Sequence, residues 1–148
     1  MKSKYKAVQQ FDNLTVQLYR HLMNVLSSGI KDEITLSQLL IMRQIDNGII
    51  TVRDIAKELD ITPAAVSKLV EHLVRDGLVS KHQSEEDRRV SYLALTAKGQ
   101  EIYDNNTIVR HNIFENILSC FNDHELNTFL DLINRIVDKL ETMDKRSS

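Results

Sequence analysis

Two short stretches of this chain combine small, hydroxylic and cationic residues at regular spacing, a set suited to binding rather than to breaking bonds. The first is Ile61-Thr62-Pro63-Ala64-Ala65-Val66-Ser67-Lys68-Leu69-Val70-Glu71-His72-Leu73-Val74, where Val66, Leu69, Val70 and Leu73 recur at helical spacing. Its other face carries Thr62, Ala64, Ala65, Ser67, Lys68 and His72. Small residues let a helix approach a DNA groove closely, and polar ones reach base edges and phosphates. The bland alternative is an ordinary amphipathic surface helix. The second stretch is Ser84-Glu85-Glu86-Asp87-Arg88-Arg89. A guanidinium at Arg89 suits a narrow minor groove, where negative potential is enhanced. Asp87 can orient it through a charge-assisted hydrogen bond. Arg88 and Lys81 suit phosphate contact, so Glu85 and Glu86 must point away from phosphates or bridge to these bases. A solvated charged loop is the alternative here.

Other chemistry is poorly supported. There is no phosphate-binding glycine loop and no nucleophile elbow, and Ser, His and Asp show no recognisable catalytic order, so no enzyme is expected. His111 and Glu115 are four apart on one helix face, a spacing that permits two metal ligands. His21, His82 and His124 lack metal-type spacing, and neither a metal nor a cofactor is expected. Cys120 has no neighbouring base between Ser119 and Phe121 to stabilise a thiolate, so an inert cysteine is favoured over a redox sensor.

The elements around these stretches supply a plan for positioning them. Thr62 is a good N-cap and Pro63 suits the first helical position. Upstream, Thr51-Val52-Arg53-Asp54 matches a capping box that opens a short helix over 52–59. Asp60-Ile61 then makes a tight break, and Asp tolerates the left-handed conformation better than most residues. Ala56 leaves room for two helices to cross. Downstream, Arg75-Asp76-Gly77 ends the helix. Residues 78–83 and 90–95 read as two strands with the charged stretch at their tip. The plan is helix, turn, helix and wing.

From Asp87 to Gly99 the chain reads Asp87-Arg88-Arg89-Val90-Ser91-Tyr92-Leu93-Ala94-Leu95-Thr96-Ala97-Lys98-Gly99. This resembles the D-x-R…L-x-L-T-x-x-G wing motif of the MarR family of bacterial transcription regulators. Ile55-Ala56-Lys57-Glu58-Leu59 and Ala65-Val66-Ser67-Lys68-Leu69-Val70, followed by Leu73 and Asp76-Gly77-Leu78-Val79, extend the resemblance, and helix order agrees over nearly the whole chain. The resemblance implies a homodimer on a pseudo-palindromic operator of double-stranded DNA, most simply as a repressor. It also implies a small aromatic effector, an acid or phenol, in a crevice between the dimer helices and the DNA-binding lobe. The peroxide-sensing members carry their cysteine in the first helix, which here has none. A winged-helix module for protein–protein contact, without DNA binding, and a redox-responsive regulator using Cys120 are the alternatives.

Composition agrees with a globular protein of one domain. Of 148 residues, 42% are hydrophobic and 27% charged, and no apolar run approaches a membrane span. The basic start Met1-Lys2-Ser3-Lys4-Tyr5-Lys6 has no apolar core behind it and is not read as a signal peptide. One cysteine excludes an internal disulfide and fits a reducing cytoplasm, the expected location. Net charge is −2, unlike many DNA binders. Split by position, residues 1–33 carry +2, residues 34–99 are neutral and residues 100–148 carry −4. The excess acid therefore lies away from the presumed DNA face.

The remaining segments are helical. Residues 7–27 carry Val8, Phe11, Leu14, Leu18, Leu22, Val25 and Leu26 on one stripe. Thr35-Leu36-Ser37-Gln38 opens a helix to about Asp46, and Ile49-Ile50 could add a third strand to the wing. Thr96 caps a long helix to about Cys120. Asn122-Asp123-His124-Glu125 is a further capping box. The last helix then bears Leu126, Phe129, Leu130, Ile133, Ile136, Val137 and Leu140, ending with Met143. That stripe is long for a helix at the end of a small protein and requires a partner surface, which a second copy supplies through C2 symmetry. The expected fold is mostly α with a small β-wing (α+β). Residues 34–99 form the winged helix-turn-helix DNA-binding lobe, and residues 1–33 with 100–148 form the helical dimerisation region.

Overall fold

The computed structural model describes residues 2–31 and 33–144. Six helices and two strands run in the order α1 (Lys2–Gly29), α2 (Leu36–Asp46), α3 (Val52–Glu58), α4 (Pro63–Arg75), β1 (Val79–Gln83), β2 (Ser91–Leu95), α5 (Ala97–Leu118) and α6 (Asp123–Asp144). They fall into two compact units, one up to His111 and the other from Asn112. The mostly helical winged-helix fold expected from the sequence is the one observed.

Local chemistry sets most of the boundaries. Thr35 accepts from the Gln38 amide at 3.2 Å, and Gln38 Oε1 accepts from the Thr35 amide at 2.8 Å, a complete capping box for α2. Thr51 caps α3 by accepting from the Asp54 amide at 3.1 Å. Here the reciprocal half differs from the expected box, because the Asp54 carboxylate accepts a hydrogen bond from the Thr51 hydroxyl at 2.6 Å. Asn122 and Glu125 complete a box at α6, at 3.0 and 2.9 Å. Helix α1 begins earlier than residue 7, since Lys4, Tyr5 and Lys6 are compatible with helix and contain no breaker. Helix α5 ends at Leu118, just short of Cys120.

Helices α2, α3 and α4 stop in the same way. After each comes a residue with positive φ, namely Gly48, Asp60 and Gly77. The next amide then bonds back across six residues: Ile49 to the Gln44 carbonyl, Ile61 to Ala56 and Leu78 to Leu73, at 2.9, 3.0 and 2.8 Å. This is the Schellman closure, which satisfies carbonyls that the helix end leaves free. At Asp60, φ is 52°, the left-handed turn expected between the two helices of the motif.

Strands β1 and β2 pair antiparallel with Val79 opposite Leu95 and Gln83 opposite Ser91. The third strand expected at Ile49-Ile50 does not form. Gly48 turns the chain just before these residues and Thr51 caps α3 just after, so only one wing bond is made, from the Leu93 amide to the Ile50 carbonyl at 2.8 Å.

The core sits beneath the helix-turn-helix. Ile41 and Met42 of α2, Ile55 of α3, Val66 and Leu73 of α4 and Leu93 of β2 are fully buried there. Tyr103 of α5 adds to it. Each large aliphatic residue so buried contributes about 1.5–3 kcal/mol. This fixes which face of α4 turns outward. Asn106 of α5, buried and polar, accepts from the Lys31 amide at 2.9 Å and ties the loop after α1 to α5.

The start of α5 is joined to the end of α4. Thr96 Oγ1 donates to the Gly77 carbonyl at 2.7 Å and accepts from the Gly99 amide at 3.0 Å. The Thr96 amide donates to the Leu78 carbonyl at 3.0 Å. Gly99 lies so close to that carbonyl that an added Cβ would fall 1.9 Å from its oxygen. Lys98 Nζ donates to the Asp76 carbonyl at 3.1 Å.

Candidate nucleic-acid interface

Helix α4 presents its polar face because its apolar face is consumed by the core. Thr62 accepts from the Ala65 amide at 3.2 Å and starts the helix at Pro63. With Val66, Val70 and Leu73 inward, Thr62, Ala64, Ala65 and Lys68 are exposed, while Ser67 and His72 are half-buried. The small side chains sit in the first turns, leaving the helix backbone open to close approach.

The wing tip is a built turn. Ser84 is buried, and its hydroxyl accepts from the Glu86 and Asp87 amides, both at 3.3 Å. The Val90 amide bonds to the Asp87 carbonyl, and Gln83 Nε2 donates to the Arg88 carbonyl at 2.6 Å. Asp87 Oδ1 accepts from both the amide and Nε of Arg89, at 2.9 and 3.3 Å. The orienting contact expected between these two side chains is present, and the Arg89 side chain remains 92% exposed. Arg88 is exposed as well, and Glu85 and Glu86 enter no ion pair among the described residues.

Between helix and wing lies an open trough of about 690 Å³. Arg53 and Lys57 of α3, Ser67 of α4, Lys81 of β1 and Arg89 line it, with Asp54 the acid on its wall. Of the residues singled out in the sequence, the fold therefore brings Ser67, Lys81 and Arg89 to one concavity. Thr62, Ala64, Ala65, Lys68, His72 and Arg88 lie outside its lining. Arg53 and Lys57 were missed. Their spacing of four on a short helix is a signal, but it acquires meaning only once α3 is seen beside the wing. The neutral charge of residues 34–99 thus conceals a cationic surface.

The other singled-out residues lie elsewhere. On α6, Leu126 and Phe129 are half-buried, whereas Leu130, Ile133, Ile136, Val137 and Leu140 are exposed. Phe129 stacks on Phe121 with ring centroids 5.1 Å apart. On α1, Val8, Phe11, Leu14 and Leu18 are each more than half exposed. Cys120 is exposed, with its thiol donating to the Ile117 carbonyl at 3.2 Å. No group of three metal-ligating side chains occurs among the described residues. Among them, too, no helix is long and apolar enough to cross a membrane.

The comparisons with known proteins agree with this geometry. Residues 32–90 match the sequence model of the MarR family. The chain is 25% identical over 124 residues to the HTH-type transcriptional repressor MdtR of Bacillus subtilis, covering 83% of this chain and 80% of that one. The fold of Streptococcus pneumoniae FabT, solved in complex with DNA, superposes with a TM-score of 0.82 at 20% identity, over 92% of this chain and 99% of that one. Staphylococcus aureus MarR, solved with salicylate and kanamycin, superposes with a TM-score of 0.83 at 23% identity, over 93% and 94% of the two chains. The winged-helix fold described above is the one these solved structures share, and residues 32–90, which hold the helix-turn-helix and the Arg-tipped wing, are similar to the MarR family.

Proposed function

We infer that the chain is a cytoplasmic, DNA-binding repressor that acts as a homodimer on a pseudo-palindromic operator. The observation that carries this reading is the pairing of an exposed small-and-polar α4 face with an Arg-tipped wing across a cationic trough. Thr62, Ala64, Ala65, Ser67, Lys68 and His72 serve the major groove, Arg88 a phosphate and Arg89 the minor groove, with Asp87 aiming Arg89. A protein-only module has no use for that combination. The FabT complex with DNA and the repressor name of MdtR support the reading.

Dimerisation falls to residues 1–33 and 100–148, with residues 34–99 as the DNA-binding lobe. The apolar positions left exposed on α1 and on α6 support this assignment, because faces of that size are covered in a stable soluble protein. Two recognition helices then address half-sites about 34 Å apart. A small aromatic acid, of the class to which the salicylate of the S. aureus structure belongs, is the proposed effector. It acts by binding more tightly to the conformation whose helix spacing mismatches the operator.

A mobility-shift assay on DNA flanking the chain's own gene tests the reading. A discrete shifted species, competed by the same duplex and not by an unrelated one, is expected. Absence of sequence-selective binding there and in a random-sequence library would return the chain to a protein-interaction role.

A further inference from the structure

The chain passes between the lobe assigned above and the segments outside it at two points. One is the linker from α1 to α2, residues 30–35, and the other is the first half of α5. A single side chain ties the two crossings together. Asn106 of α5 is only 4% exposed, and its carboxamide meets both backbone groups of Lys31. Oδ1 accepts from the Lys31 amide at 2.9 Å and Nδ2 donates to the Lys31 carbonyl at 3.4 Å, much as a residue on a neighbouring strand would. Nδ2 also donates to the Ile102 carbonyl, one turn back on α5, at 2.9 Å, which fixes the aim of the side chain. A carboxamide is costly to bury unless it is bonded in this way.

No other hydrogen bond holds the linker to the rest of the fold. Among the described residues, the remaining hydrogen bonds of residues 30–35 go only to α1 and α2, the helices that flank them. Helix α1 is itself gripped only near its end. Residues 4–21 are exposed throughout; Leu26 is buried, and Leu22, Met23 and Gly29 are half-buried. The direction in which α1 leaves the lobe is therefore set over its last two turns and at the linker, and a hinge needs only a few such residues.

We propose that Asn106 is a clasp across this hinge. Closed, it holds α1 and α5 at one angle to each other as they leave the lobe. Open, it lets α1 swing, and the lobe that carries the recognition helix takes several angles to it. The consequence for DNA rests on the DNA-binding reading above. Only the closed clasp gives the two recognition helices the spacing of the half-sites, so opening it lowers operator affinity by the fraction of molecules left closed.

The test uses the full chain with spin labels at Asn13→Cys on α1 and Arg75→Cys at the end of α4, both exposed positions, in a Cys120→Ser background. Dilution with unlabelled chain restricts the measured distances to those within one chain. Asn13 lies about 24 Å along the axis from the end of α1, so a swing of about 10° moves its label by about 4 Å. With Asn106 in place, one narrow distance distribution is expected. Asn106→Leu keeps the volume but removes both bonds to Lys31, and should give a broad distribution or a second peak. Asn106→Ala leaves room for a water on the Lys31 backbone, should do the same, and carries the test if circular dichroism shows Asn106→Leu unfolded. Gln100→Leu removes a different polar tie of α5, to Asp46 at 3.1 Å, and should leave the distribution narrow. A narrow distribution in both Asn106 variants overturns the proposal, as does a broad one with Asn106 in place. Equal broadening in Gln100→Leu would mark general loosening and overturns it too.

Fluorescence anisotropy then reads the effect on DNA, with a duplex recovered by in vitro selection from a random library beside a scrambled duplex of the same composition. Asn106→Leu should bind the selected duplex about tenfold more weakly, the loss when one molecule in ten stays closed. Affinity for the scrambled duplex, which demands no fixed spacing, should be kept, and the salt dependence on both should be unchanged because the phosphate contacts survive. Unchanged affinity for the selected duplex, or an equal loss on both, overturns the clasp as a control on operator binding. Should selection enrich no duplex at all, the DNA-binding reading falls, and the clasp is decided by the distances alone.

Discussion

One carboxylate oxygen of Asp87 accepts both the backbone amide and the guanidinium Nε of Arg89, at 2.9 and 3.3 Å. The residue that aims the guanidinium is therefore also the one that fixes the backbone carrying it. The remaining guanidinium N–H groups stay free to meet an acceptor.

Arg89→Ala should cost about 1–3 kcal/mol of operator affinity per half-site, with the largest loss on operators with A·T-rich flanks. Asp87→Ala should reproduce part of that loss, because the charge survives while its aim and the turn beneath it do not. Anisotropy titrations on two operators differing only in their flanks measure both. Wild-type affinity for Arg89→Ala on both operators would remove the wing from the DNA interface.

Lys68 lies on the exposed face of α4 and outside the trough, so its contact is decided by comparing duplexes. As a base reader it should weaken the selected duplex more than the scrambled one when changed to Ala, with a loss of about 1–3 kcal/mol. As a phosphate contact it should instead weaken both alike and flatten the salt dependence by about one unit. The base-reading outcome is expected. Equal loss on both duplexes would reassign Lys68 to the backbone.

Ile133 and Val137 are one turn apart on α6 and exposed in the isolated chain. Replacing both with Asp should give a folded monomer with reduced operator affinity, since two charges buried in an apolar interface cost several kcal/mol. Equilibrium sedimentation reads the outcome. A dimer that survives both changes would move the interface away from α6.

Gly99→Ala should lower thermal stability, because the new methyl group meets the Leu78 backbone carbonyl rather than a side chain that can swing aside. Overpacking of this kind costs about 1–3 kcal/mol, which for a chain of this size is a drop of roughly 2–12 °C in Tm. Asp60→Gly should move the other way by about 0.5–1 kcal/mol, since glycine meets a φ of 52° without the Cβ penalty. Calorimetric scans compare the two. An unchanged Tm in Gly99→Ala would show that the joint can open at little cost.

Features decided by a few consecutive residues were legible in the sequence. The Thr35–Gln38 box, the Thr62 cap before Pro63, the left-handed Asp60 and the Asp87–Arg89 contact all depend on side chains within a turn of one another. The stripe of α4 likewise predicted its buried face. What escaped depends on segments far apart in the chain. Arg53 and Lys57 join Lys81 in one trough only after α3 packs on α4 and the wing folds back. Asn106 finds the Lys31 backbone across 75 residues, with no local pattern to announce it. The missing strand at Ile49-Ile50 shows the opposite failure. Two β-branched residues looked like a strand, but the turn before them and the cap after them left room for a single hydrogen bond.

The contact between Gly99 and the Leu78 carbonyl also limits how the molecule can move. With Thr96 bonded on both sides of it and no gap for even a methyl group, the first turn of α5 cannot slide or roll against the end of α4. The end of α4 and the base of α5 are therefore one joint, and a displacement of either carries the other with it.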